Sequence, residues 1–144
     1  MRDLDSSQKR LQESGAQASP LRVDGCNSIL LLDDDASMLS ALGRLLKSAG
    51  FSVEKFGHPA AFLFRLQRGG CQVAVLDVWM PVMNGLDVQS CLIKNSPETR
   101  IIFISGRDDS SVRQTALDAG AFGFLAKPFE DEVLVQLIHK AVAG

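Results

Sequence analysis

Short apolar runs alternate with amphipathic stretches along most of this chain. Ile29-Leu30-Leu31-Leu32, Val73-Ala74-Val75-Leu76 and Ile101-Ile102-Phe103-Ile104 are continuous blocks rich in β-branched residues. Such blocks suit strands buried on both faces. Phe51 to Phe56 is more polar, as an edge strand is, and Phe122 to Ala126 is a fifth, shorter strand. Between them the apolar period changes. Met38, Leu42, Leu45, Leu46 and Ala49 fall on one helical face, with Asp35 placed to cap it and Gly50 to end it. A second helix opens at Pro59, reaches about Arg68 and is broken by Gly69-Gly70. A third carries Leu86, Val88, Cys91 and Leu92 and closes at Asn95 and Pro97. A fourth starts near Ser110, with Ser111 and Gln114 at capping-box spacing, and ends at Gly120. The last opens on Glu130, Asp131 and Glu132 and continues with Leu134, Leu137, Ile138 and Ala141.

Five strand–helix units in strict alternation predict an α/β fold. Right-handed crossovers then require a doubly wound parallel sheet with helices on both faces. Residues 1 to about 27 break the pattern and are expected to be a flexible leader before a domain at 28–144. Part of that leader, Leu4 to Glu13, has the composition of a transient helix, and a docking arm is its functional alternative.

Length and composition agree with one globular domain: 144 residues, 46% hydrophobic and 22% charged. The formal net charge of −2 offers no broad basic face for nucleic acid. No apolar run is long enough to span a bilayer, and the N-terminus lacks the apolar stretch of a signal peptide. Cys26, Cys71 and Cys91 have neither disulfide nor zinc spacing, which fits a reduced, cytoplasmic compartment. Cys71 and Cys91 read as small core residues and His58 and His139 as surface residues. One of Phe62 and Phe64 is expected to face inward. Met80 and Met83 read as loop packing.

The chemistry lies where the strands end. Asp33-Asp34 follows the first strand, Asp77 ends the third, Ser105 follows the fourth and Lys127 the fifth. A parallel sheet brings these ends to one edge, where α/β proteins build their sites. Taken singly, each has a plainer role: Asp33, Asp34 and Asp35 as caps, Ser105 as a turn residue, Lys127 as a solvated cation. Together they give three carboxylates, a hydroxyl and an ammonium. Clustered carboxylates call for a cation, and hard oxygen donors suit Mg²⁺. Mg²⁺ favours phosphoryl transfer, for which Asp77 is the candidate nucleophile.

Residues from about Ile29 to Ala143 resemble the receiver domain of two-component response regulators. The residues that carry the resemblance are Leu32-Asp33-Asp34-Asp35, Leu76-Asp77-Val78-Trp79-Met80-Pro81 with Gly85, Ile104-Ser105-Gly106, Gly120-Ala121 and Lys127-Pro128-Phe129. The Lys-Pro-Phe-Glu and Ala-Gly-Ala-Phe-Gly-Phe segments look most like the nitrogen-fixation type. The resemblance implies a flavodoxin-like sheet in the order 2-1-3-4-5 and a signalling switch rather than a conventional enzyme. It implies that Asp77 accepts phosphate from a sensor histidine kinase or phosphotransfer protein, the domain itself catalysing both this transfer and its later autodephosphorylation. Mg²⁺ would be held by Asp34 directly, by Asp33 in support, by Asp77 and by the main-chain carbonyl of Trp79. Lys127-Pro128 would be cis. Ser105 and Phe124 would be the switch pair, with Phe124 turning inward and remodelling the face formed by the fourth helix, fifth strand and fifth helix. That face is a candidate for homodimer contacts, and Phe122 beside it for exposure.

Two residues are not set by the resemblance. Trp79, two positions after Asp77, and Arg107, two after Ser105, are expected to shield the acyl phosphate from water. Competing readings are a receiver that has lost phosphorylation and serves as an adaptor, an Asp-nucleophile phosphohydrolase, and a nucleotide- or flavin-binding module. The phosphohydrolase would need an acid where Trp79 stands. The nucleotide module would need Gly, Ser or Thr where Asp33-Asp34-Asp35 stands.

Overall fold

A computed structural model describes residues 28–107 and 109–144 of the chain. The leader, its helix-forming stretch and Cys26 lie outside the described residues. Five strands, β1 (Ser28–Leu32), β2 (Ser52–Phe56), β3 (Val73–Asp77), β4 (Arg100–Ser105) and β5 (Gly123–Ala126), alternate with five helices. These are α1 (Ala36–Ser48), α2 (Pro59–Leu66), α3 (Gly85–Asn95), α4 (Ser110–Asp118) and α5 (Asp131–Ala143). The strands form one parallel sheet in the order β2-β1-β3-β4-β5. Both the alternation and the order match the sequence expectations.

The alternation of side chains along each strand divides the core in two. Ile29, Leu31, Val73, Val75, Ile102 and Ile104 point to the face covered by α1 and α5, meeting Leu42, Leu46, Leu134 and Ile138. Leu30, Leu32, Ala74, Leu76, Ile101 and Phe103 point to the other, meeting Phe62 of α2, Val88 and Leu92 of α3 and Ala116 of α4. This two-sided burial is why the strands read as unbroken apolar runs. β2 is an edge and alternates between exposed and half-buried residues. Phe62 is fully buried while Phe64 is 67% exposed.

The helix starts are held by side chains. Asp35 caps α1, accepting from the Ser37 and Met38 N–H groups. His58 caps α2 through Nδ1, which accepts from Ala60 N–H. Asn84 and Asp87 form a reciprocal capping box on α3. On α4 the expected Ser111–Gln114 box does not form. Asp109 is the cap instead, its Oδ1 accepting from the Ser111 and Val112 N–H groups and the Ser111 hydroxyl. A carboxylate two residues upstream is the better acceptor at a positive helix end. Gln114 turns outward and donates to Asp118. At the C-terminal end, Gly120 follows α4 with φ +104°, a conformation open to glycine without strain. α2 ends at Leu66, short of Arg68.

Candidate active site

β3 carries Asp77 to the carboxyl edge of the sheet, paired in register with Ile104. Val73 to Leu76 are at most 1% exposed, so the strand is a rigid mount for the one carboxylate at its end. β1 delivers Asp33 to the same edge, where its N–H donates to Phe56 O at 3.1 Å. Asp33 and Asp77 are 1% and 4% exposed, whereas Asp34 is exposed. One oxygen from each of Asp33, Asp34 and Asp77 lies within 4.8 Å of the others.

Lys127, just after β5, reaches into this group from a half-buried position. Its Nζ donates to Asp33 Oδ2 at 3.1 Å and lies 3.6 Å from Asp77 Oδ1. Asp33 is thus the nearer of its two partners. The Lys127-Pro128 peptide is cis, as expected. Asp33 also accepts from Asp35 N–H at 2.9 Å, so its two oxygens are both engaged.

Asp77 is short of compensation. Burial, and then the negative charge of Asp33, push its carboxyl up from 3.8 to about 7, against the pull of Lys127; Asp34 adds to the rise. Three carboxylates facing one ammonium, all through hard oxygen atoms, are a donor set suited to a divalent cation. A cation there would oppose this rise by favouring the ionised carboxyl.

Ser105 is 1% exposed at the end of β4. Its hydroxyl donates to Arg107 O at 2.9 Å and accepts from Arg107 N–H at 3.1 Å. That turn presents the Arg107 side chain to Trp79, the guanidinium lying 4.4 Å from the indole ring centre. Trp79 is half-buried, and its Nε1 is buried without a hydrogen-bond partner. Phe124, on β5, is 8% exposed with its ring centre 6.0 Å from that of Phe103. It is therefore inside the fold. Phe122 is half-buried beneath Arg100, whose guanidinium is 5.5 Å from its ring centre, and not the exposed aromatic expected from sequence.

Behind the site, Gly85 opens α3 against the backbone of β3. A Cβ there would stand 2.5 Å from Asp77 O and 2.9 Å from Phe103 Cε1. Gly85 N–H donates to Val78 O at 2.8 Å. In the sequence Gly85 stands only among the residues that carry the resemblance, and nothing local signals this close approach.

Of the other residues singled out, His139 is exposed and stacks against Phe51 at 4.9 Å. Cys71 is half-buried, its thiol pushed up to about 11 by burial, which leaves it unreactive. Cys91 is half-buried as well. Met80 and Met83 pack against the core on the α2–α4 side.

A parallel 2-1-3-4-5 sheet with an acidic cluster and a lysine at its carboxyl edge defines a class of switch-type α/β domains rather than a nucleotide-binding fold with a glycine loop. The response regulator receiver domain family matches residues 29–139, and the chain belongs to it, as a domain of two-component signalling systems. The chain is 43% identical over 119 residues to the response regulator protein TodT of Pseudomonas putida F1, covering 83% of this chain and 52% of that protein. It is 36% identical over 114 residues to the transcriptional regulatory protein FixJ of Bradyrhizobium diazoefficiens, covering 79% and 56%. The chain thus spans about half the length of these curated relatives. The solution structure of the beryllofluoride-activated NtrC4 receiver domain dimer superimposes with a TM-score of 0.78 at 29% identity, covering 81% of this chain and 97% of that one. Among the described residues, no helix is long and apolar enough to cross a membrane.

Proposed function

We propose that residues 28–144 form a phosphorylation-controlled switch in which Asp77 is the phosphoacceptor. The observation that carries this is the convergence of Asp33, Asp34 and Asp77 within 4.8 Å, with Lys127 against two of them. An Asp77 carboxylate oxygen attacks the phosphorus of a phosphohistidine on a sensor histidine kinase or phosphotransfer protein. The P–O bond forms as the P–N bond breaks, and the departing imidazole takes up a proton. The cation that fits is Mg²⁺, which when bound neutralises the phosphoryl oxygens. The exposed Asp34 is its direct carboxylate ligand, with Asp77 and the Trp79 main-chain carbonyl. Asp33, already bonded to Lys127 and Asp35 N–H, supports it. Lys127 holds the two buried acids and then pairs with the phosphoryl group. The Ser105 hydroxyl leaves the Arg107 backbone and donates to a phosphoryl oxygen.

Phe124 follows as the second half of the switch. Its buried ring is the inward arrangement, and phosphorylation raises the population of that arrangement. The face of α4, β5 and α5 is then read by an output domain, a partner protein or a second copy of the chain. Trp79 with Arg107 stacked on it screens the acyl phosphate from water. The switch works in the cytoplasm, where sensor kinases present their phosphohistidine, and the segment before residue 28 is a leader outside it. An acid two positions after the nucleophile, which a phosphohydrolase of this type needs, is replaced here by Trp79.

The test uses the single tryptophan as reporter. Mg²⁺ followed by beryllofluoride, a phosphoryl mimic, is expected to change Trp79 fluorescence in the wild type and not in Asp77→Ala. A small phosphodonor is expected to leave a hydroxylamine-sensitive phosphate on the wild type alone. No response to either reagent would make the chain an adaptor that has lost phosphorylation.

A further inference from the structure

Two arginines close together in sequence each lie on an aromatic ring, and the two rings belong to different parts of the molecule. Arg107 lies 4.4 Å from the ring centre of Trp79, beside Asp77. Arg113, on the first turns of α4, lies 4.9 Å from the ring centre of Phe124, on the output strand β5. We propose that these contacts are coupled: Arg107 and Arg113 are positioning residues through which the state of the Asp77 site biases Phe124. The proposal rests on the reading of Asp77 as phosphoacceptor and of Phe124 as a switch residue.

The physical case starts with how α4 is held. Of its nine residues only Ala116 is buried. Its attachment therefore depends on a few specific contacts rather than on a broad apolar face. Its C-terminal half is tied down twice at one atom, because Ala116 O accepts from Gln89 Nε2 of α3 at 3.0 Å and from Ala121 N–H at 3.0 Å. Its N-terminal half, capped by Asp109, is held by Arg113 on Phe124 and by the half-buried Val112 against the core. A cation in the first turns of a helix is on the unfavourable end of the macrodipole. The electron-rich face of Phe124, whose ring lies inside the fold, offsets that. Arg113 therefore stabilises the inward ring.

Upstream, the Ser105 hydroxyl and the Arg107 backbone bond each other in both directions. When Ser105 turns to a phosphoryl group, those bonds are lost and the Arg107 backbone is released. Arg107 stacked on Trp79 then decides where the start of α4 sits. A displacement at Trp79 thus reaches Phe124 through the α4 N-terminus, and a displacement of Phe124 returns by the same route, as linkage requires.

The experiment is a double-mutant cycle on the full chain, with two readouts. Beryllofluoride affinity in Mg²⁺ is followed by Trp79 fluorescence. The inward population of Phe124 is followed by ¹⁹F NMR of fluorophenylalanine-labelled protein, the Phe124 resonance being assigned with Phe124→Leu. Arg113→Met keeps the apolar stem and removes the guanidinium. It is expected to weaken beryllofluoride binding by about threefold, since the competent arrangement becomes less populated. Arg107→Met, without ligand, is expected to move the Phe124 resonance although it does not touch that ring. Arg107→Met is expected to weaken beryllofluoride binding as well, and in the double variant the two effects on affinity are expected to fall short of their product. Additive effects, or a Phe124 resonance unmoved by Arg107→Met, overturn the coupling. If the wild type ignores beryllofluoride, the phosphoacceptor reading fails instead, and the ligand-free ¹⁹F arm still decides whether Arg107 and Phe124 are coupled.

Discussion

Lys127 sits nearer to Asp33 than to Asp77, at 3.1 Å against 3.6 Å, although Asp77 is the acid whose ionisation is suppressed. The lysine is thus shared, and its first duty in the unmodified protein is to hold β1 and β3 together at their acidic ends. Removing it leaves two buried carboxylates facing each other. Lys127→Met is expected to lower stability by roughly 2 kcal/mol in chelator, less than for a fully buried pair because the lysine side chain is 20% exposed. Mg²⁺ is expected to restore most of that loss but not phosphoryl acceptance. Urea denaturation with and without Mg²⁺ measures the first, and phosphorylation by a small donor the second. Equal destabilisation in both conditions would argue against a cation among these acids.

The pH dependence has a definite sign. Asp77 holds its proton up to about pH 7 in the folded chain but only to about 3.8 when unfolded, because burial and Asp33 oppose its charge. Between those values the native state binds more protons than the unfolded state, so stability falls as pH rises through the window. The contribution is full below the unfolded value and gone above the folded one. A bound divalent cation favours the ionised carboxyl and so opposes the shift. Thermal melts in chelator are expected to show Tm dropping by several degrees from about pH 5 to about pH 8, with a smaller drop in Mg²⁺. Asp77→Asn is expected to flatten the slope in chelator; an unchanged slope would place the titration elsewhere.

Much of this was legible in the chain because burial on both faces leaves so plain a trace. The strands β1, β3 and β4 are apolar without interruption, and each of their polar ends marks the sheet edge. What escaped depends on contacts between segments or on competition between neighbours. Asn84 is a residue type common in turns, and only the fold shows it capping α3 with Asp87. Ser111 has the spacing of a cap, yet Asp109 outbids it by placing a carboxylate at the same N–H groups. Phe122 reads as exposed because nothing in its own segment covers it; Arg100 does so from β4. Gln89 and Arg113 carry no local signal at all, since Ala116 O and the Phe124 ring become their neighbours only in the fold.

Gly85 gives a test of the mount behind the site. Its missing Cβ leaves room for the carbonyl of Asp77 itself, and backbone cannot swing aside as a flexible side chain can. Gly85→Ala is expected to cost about 1–3 kcal/mol of stability by overpacking. It is also expected to slow phosphorylation of Asp77, since the residue that must yield is the phosphoacceptor. Chemical denaturation and the initial rate of phosphorylation measure the two effects. A variant as stable as the wild type would mean that α3 shifts freely here, against the tight contact with Phe103.

Trp79 and Arg107 make the proposed shield a matter of kinetics. Trp79 follows Asp77 by two residues, and the exposed guanidinium of Arg107 covers its ring at 4.4 Å. A water molecule attacking the acyl phosphate from that side must displace this pair. Arg107→Ala removes the outer layer and leaves the ring; Trp79→Asn removes the ring and leaves the main-chain carbonyl assigned to the metal. Losing a cation–π contact of about 0.5–2 kcal/mol corresponds to roughly two- to thirtyfold in rate. Trp79→Asn is therefore expected to speed autodephosphorylation by about tenfold and Arg107→Ala by about threefold. In the double variant Arg107 has no ring to cover, so its removal adds little. Loss of phosphate from purified phosphorylated protein, followed in Mg²⁺, measures all three. If Trp79→Asn dephosphorylates at the wild-type rate, the ring does not shield the phosphate.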